Sequence, residues 1–138
     1  MQSSFGYTLG MDTGCFRATG RVRSFVFAAR GLLTLVREEP NARFHAAATI
    51  AVIAGGIGVH LAMDEWRWII LAMGLVWAAE AMNSAVERLC DRVCTAHDPL
   101  IGAAKDLAAG AVLACAATAG CIGASIFLSH ILAWGAAR

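Results

Sequence analysis

This chain of 138 residues is 59% hydrophobic and only 15% charged, with a formal net charge of +1 and a mean hydropathy of +0.64. That is too apolar for an ordinary soluble domain, and the length leaves room for one domain. Nothing in the charge balance calls for a nucleic-acid partner. The charges are unevenly placed, since residues 44–63 and 107–137 contain no Asp, Glu, Lys or Arg.

Taken in chain order, residues 1–15 mix Ser, Gly and Thr without a period and read as a flexible tail. The rest, 16–138, reads as one membrane domain. Over about 16–38, Phe16, Phe25, Val26, Ala29, Leu32, Leu33 and Val36 form an apolar face. Arg23, Arg30 and Arg37 repeat every seven residues on another face, so an amphipathic helix at the headgroup level is expected. Pro40 interrupts it and biases Glu39 away from helical angles. The first long apolar run comes too late for a signal peptide. A spanning helix needs about 20 mostly apolar residues, and three fit, over about 44–63, 67–90 and 104–134. Glycines 55, 56, 58, 120 and 123 suit close helix packing, with Gly110 set apart from them. Asp98-Pro99 breaks the chain before the last span.

Six arginines, at 17, 21, 23, 30, 37 and 43, precede the first span. Arg88, Arg92 and Lys105 lie near the connection between the second and third, whereas the turn at 64–67 holds only Arg67. The positive-inside rule therefore places the N-terminus and the 88–106 connection in the cytoplasm. Trp66, Trp68 and Trp134 are candidate interface anchors. The five cysteines do not form a disulfide framework; Cys90, Cys94 and His97 offer three zinc ligands without an evident fourth, so reduced thiols are the default reading.

The chemistry is concentrated in Glu80, Asn83, Glu87 and Asp91, spaced i, i+3, i+7 and i+11 and so sharing one helix face. A charge at membrane depth is costly unless it is paired, hydrated or metal-bound. The plainer reading of Glu80 is a neutral carboxyl or a pin between helices; the functional reading is a general base at the hydrocarbon edge. Glu87, about 10 Å nearer the cytoplasm along the axis, could hold a divalent metal with Glu38 or Glu39, or pair with Arg88 or Arg92. Lys105 could snorkel or bind phosphate, and Asp106 could cap a helix. No Gly-rich phosphate loop is present, so any nucleotide site is built differently. A non-enzymatic membrane protein, such as a small channel or assembly subunit with a cation-binding stripe, is the alternative.

Four segments together resemble the prokaryotic diacylglycerol kinase family, which includes undecaprenol kinases. They are Ser24-Phe25-x-x-Ala28-x-x-Gly31; Glu39-Pro40-Asn41-Ala42-Arg43-Phe44-His45; Glu80-x-x-Asn83-Ser84-Ala85-x-Glu87-x-x-x-Asp91; and Lys105-Asp106-x-Ala108-Ala109-Gly110-Ala111-Val112-Leu113. The resemblance covers about residues 20–130. It implies an all-α homotrimer in the bacterial inner membrane, with three spans, an N-terminal surface helix and sites at the cytoplasmic face. It also implies ATP- and magnesium-dependent phosphorylation of a lipid alcohol, either undecaprenol or diacylglycerol. By position, Glu80 would be the base, Glu39 and Glu87 would hold magnesium, and Asn83, Glu87, Lys105 and Asp106 would serve the nucleotide. Asp91 matches an aspartate near the site. The diacylglycerol kinases carry an arginine and a tyrosine on the N-terminal helix where this chain has Gly20 or Arg21 and Phe27. The arginine's role would then pass to Arg21 or Arg23. Ala109 and the 39–45 segment resemble the undecaprenol kinase branch.

Overall fold

The computed structural model describes residues 18–93 and 98–136. The tail at 1–15, and Phe16, Arg17, Cys94 and His97, lie outside the described residues. Four α-helices and no strand are found among those described: α1 (Ala18–Glu38), α2 (Pro40–Gly58), α3 (Met63–Val93) and α4 (Pro99–Ala136).

Local sequence sets each boundary. Glu39 is extended, with φ −98° and ψ 120°, and Pro40 opens α2 at the position where a missing N–H costs nothing. Glu39 therefore belongs to two helices: its N–H donates to the Leu35 carbonyl and its own carbonyl accepts from Arg43. At the start of α3 the Glu65 carboxylate reaches back to the Ala62 N–H at 2.8 Å, one half of a capping box. Asp98 caps α4 by accepting from the Leu100 N–H at 2.8 Å, with Pro99 in the first turn. The last helix thus starts five residues before the expected span. Asp106 lies about two turns inside it and caps nothing.

The turn from α2 to α3 is a Schellman motif. The Leu61 N–H donates to the Gly56 carbonyl at 3.0 Å and the His60 N–H to Ile57 at 3.2 Å. His60 occupies the left-handed position, φ 55°, usually given to glycine. Substitution His60→Gly is expected to stabilise the protein by about 1 kcal/mol, read as a higher melting temperature in detergent micelles. Gly56 has no such freedom: an added Cβ would lie 2.8 Å from the Trp66 ring and 2.9 Å from Leu61. Trp66 thus packs into the turn, while Trp68 and Trp134 stay exposed. Gly110, Gly120 and Gly123 face open space within the chain.

Helices α3 and α4 are long and apolar enough to cross a membrane. They rise about 46 and 57 Å, against about 30 Å of hydrocarbon. Helix α2 is shorter, with 19 residues and Arg43 in its first turns. The most extensive interface joins α3 to α4, and it is stapled at both ends. His130 Nε2 lies 3.0 and 3.1 Å from the two Glu65 carboxylate oxygens. Lys105 Nζ donates to Asp91 at 2.5 Å. The core along this frame is small: Leu35 of α1, Ala42 of α2 and Ile69, Ala72, Val76 and Cys90 of α3 are buried. Helix α4 buries no residue. Among the described side chains of α1 Leu35 is the buried one, whereas Phe25, Val26, Leu32 and Leu33 of the expected apolar face remain exposed.

Candidate active site

Three contacts define how α2 lies against α3. Arg88 donates to Glu39 Oε1 at 3.1 Å, Trp77 Nε1 donates to Thr49 Oγ1 at 3.1 Å, and the Trp66 ring meets Gly56. Each step along α2 is a step back along α3, so the pair is antiparallel. This register puts Glu39 level with Glu87 and Arg88. Stretches distant in sequence converge there.

The polar face of α3 grades from sealed to open. Glu80 is 1% exposed and Asn83 and Ser84 are buried; Glu87 is half-buried and Asp91 exposed. The gradient follows from α2, whose first residue is Pro40. In this register, α3 runs past the start of α2 beyond Glu87, and among the described residues of α1 only Leu35 is buried.

Glu80 Oε2 and Asn83 Oδ1 are buried without a hydrogen-bond partner among the described residues. A lone ionised carboxylate in such surroundings is costly, and an unpaired amide oxygen costs about 1–3 kcal/mol. Folding does not favour this arrangement, and orphaned buried polar atoms of this kind mark places where another molecule completes the bonding. Glu80 also lies within electrostatic range of His45, Glu39 and Glu87. Asn83 turns its amide nitrogen to Glu87 Oε1 at 3.2 Å, one helical turn away.

Arg88 forms no bond to Glu87. Its guanidinium bridges Glu38 and Glu39, each at 3.1 Å. Of these two carboxylates Glu39 is the less exposed, and the bond to Arg88 uses only its Oε1. Among the described residues no three His, Cys, Asp or Glu side chains converge on one point. Two carboxylates from facing helices, with the unpartnered Asn83 oxygen close by, still match a hard cation that keeps waters and phosphate oxygens as its remaining ligands. The oxygen donor set fits magnesium.

Lys105 is held by Asp91 and lies within electrostatic range of Glu87 and Cys90. It brings a positive charge to the open end of the polar face. Asp106 and Arg23 are exposed, and neither is drawn into the cluster.

The sequence profile of prokaryotic diacylglycerol kinase matches residues 26–127, which is most of the chain. The chain belongs to the prokaryotic diacylglycerol kinase family. As a member of this family it is a membrane lipid kinase, which decides between the two readings that the polar stripe allows. It is similar to the undecaprenol kinase of Bacillus subtilis, 44% identical over 109 residues, covering 79% of this chain and 89% of that protein. It is also similar to a diacylglycerol kinase of Synechocystis sp., 33% identical over 110 residues, covering 79% of this chain and 63% of that one. Both matches are long enough to take in most of the helical frame.

Sequence reasoning missed several features of this kinase. Ser84 is as buried as Asn83, and Arg88 serves α1 and α2 instead of its own helix. The Thr49–Trp77 bond had a signal in retrospect, since two polar atoms inside two apolar runs need each other. The Glu65–His130 staple had none, because it joins residues at opposite ends of two long helices.

Proposed function

We propose that this kinase transfers the γ-phosphate of ATP to the hydroxyl of a membrane lipid alcohol, and that the alcohol is undecaprenol. The buried Glu80 carboxylate, with Oε2 unpartnered among the described residues and within electrostatic range of Glu39 and Glu87, is the observation that carries the reading. A primary alcohol is a poor nucleophile; it needs a base, alignment and neutralised phosphate charge. Glu80 takes the hydroxyl proton. The lipid oxygen bonds to the γ-phosphorus as the bond from that phosphorus to the β–γ bridging oxygen breaks, and ADP leaves with the charge. Glu39 and Glu87 hold magnesium, which when bound neutralises phosphate oxygens. Asn83 keeps Glu87 in place through its amide, and Lys105 and Asp106 face the nucleotide with Asp91 orienting Lys105. Arg23, exposed on α1 and outside the cluster, is assigned to the nucleotide by its place in the sequence.

In this reading α1 lies on the membrane surface with Phe25, Val26, Leu32 and Leu33 in the acyl region. Helices α2, α3 and α4 are the three spans of a bacterial inner-membrane protein whose site faces the cytoplasm. The unburied α4 suits packing in a homotrimer. Undecaprenol is favoured over diacylglycerol by the higher identity to the undecaprenol kinase and by Ala109 and the 39–45 segment.

Purified protein in mixed micelles with ATP and magnesium, offered undecaprenol or diacylglycerol separately, tests the reading. Labelled undecaprenyl phosphate is the expected product, and its formation stops when the metal is chelated. Labelled phosphatidic acid alone would reverse the substrate assignment.

A further inference from the structure

A groove of about 420 Å³ runs between α2, α3 and α4, lined mostly by Ala, Gly, Val, Ile, Met and Phe. Its polar side chains are His45, Thr49 and Trp77. The Trp77 indole N–H is committed to Thr49 Oγ1 at 3.1 Å. His45 is left with an edge-on ring contact to Phe44, centroids 5.9 Å apart, and no hydrogen bond among the described residues. It is half-buried, in an apolar lining, with ring nitrogens that have nothing to bond there.

The register of α2 on α3 says what His45 faces. One turn from Thr49 toward the start of α2 is His45. One turn from Trp77 toward the end of α3 is Glu80 and Ala81. The imidazole and the Glu80 carboxylate therefore stand at the same level, within electrostatic range and unbonded to each other. Val76 and Trp77, the turn before Glu80, are part of the groove wall. One end of the apolar groove thus carries His45 in its wall, with the buried Glu80 acceptor one helical turn beyond the wall residues Val76 and Trp77. A hydroxyl at the end of an apolar chain can satisfy both, donating to Glu80 and accepting from an imidazole N–H.

We infer that His45 is the positioning residue for the lipid hydroxyl: it donates a hydrogen bond to the hydroxyl oxygen and holds the O–H toward Glu80. This rests on the lipid-kinase reading of Glu80 and adds to it a named contact for the acceptor substrate. The imidazole forms no covalent bond and keeps its own proton. It selects a polar end group that can donate and accept at once, so an ether-capped lipid of the same chain would find no productive pose.

The test is steady-state kinetics of wild type, His45→Phe and His45→Gln in mixed micelles, with the melting temperature of each. Phenylalanine keeps the ring and the apolar fit but has no donor; glutamine restores an N–H at similar reach. For His45→Phe, kcat is expected to fall about tenfold, in line with one lost hydrogen bond to the reacting group, while KM for ATP stays unchanged. His45→Gln is expected to recover most of the loss. A purely structural role would instead lower the melting temperature and raise KM for the lipid, with glutamine no better than phenylalanine, and that result overturns the inference. Full activity in His45→Phe overturns it alone, with the kinase reading intact. Wild-type protein that phosphorylates no lipid overturns the kinase reading and this inference with it.

Discussion

Replacing Glu80 with glutamine is expected to lower phosphoryl transfer by about 10²- to 10⁴-fold, the usual contribution of a positioned general base, while leaving the protein folded and at least as heat-stable. The two halves of this expectation have one cause. Glu80 is 1% exposed, and its Oε2 has no partner. A charge there works against folding, so an uncharged amide of the same shape removes that cost. The new amide nitrogen would sit at i, i+3 from Asn83, whose Oδ1 also lacks a partner. Transfer of labelled phosphate to lipid reads the first half, and thermal unfolding in the same micelles the second. Near-wild-type turnover would remove Glu80 from the role of base. Lost turnover with a much lower melting temperature would make it a structural pin.

The second large effect belongs to Glu87→Gln. Glutamine keeps an Oε1 that can accept from the Asn83 amide, so the 3.2 Å bond along α3 can survive. What disappears is one of the two carboxylate charges, on Glu39 and Glu87, that the register of α2 on α3 places at one level. Activity is expected to fall about a hundredfold at fixed magnesium, and the magnesium concentration for half-maximal rate to rise. Glu39→Gln is expected to do the same, with the added loss of a charged partner for Arg88. A magnesium titration for each variant checks this. An unchanged half-maximal concentration in both would remove these carboxylates from metal binding.

Much of this site was legible because helical periodicity is a strong constraint. The spacing of Glu80, Asn83, Glu87 and Asp91 puts them on one face whatever the helix packs against. Pro40 marks Glu39 in the sequence as the extended residue between two helices. The relation between helices was not legible. That Glu39 stands level with Arg88 and the Glu87 end of the polar face depends on a four-residue turn, on Gly56 admitting the Trp66 ring, and on one hydrogen bond from Trp77. None of these has a periodic signature. The apolar face of α1 was readable as a face, but its direction was not, and Leu35 buries where Phe25 and Leu33 do not. The last helix, α4, begins with its cap at Asp98, at the Asp98-Pro99 break in the sequence and before the apolar run of the expected span starts.

The paired staples on α3 and α4 have a mechanical meaning. Glu65 and Asp91 lie about 39 Å apart along α3, and their partners His130 and Lys105 are spaced to match on α4. Sliding one helix past the other by a single turn would break both ends together, so the hairpin behaves as a strut of fixed length. A piston stroke is therefore closed to it. The extended joint at Glu39, between α1 and α2, lies outside this strut and is bridged to α3 by the Arg88 guanidinium.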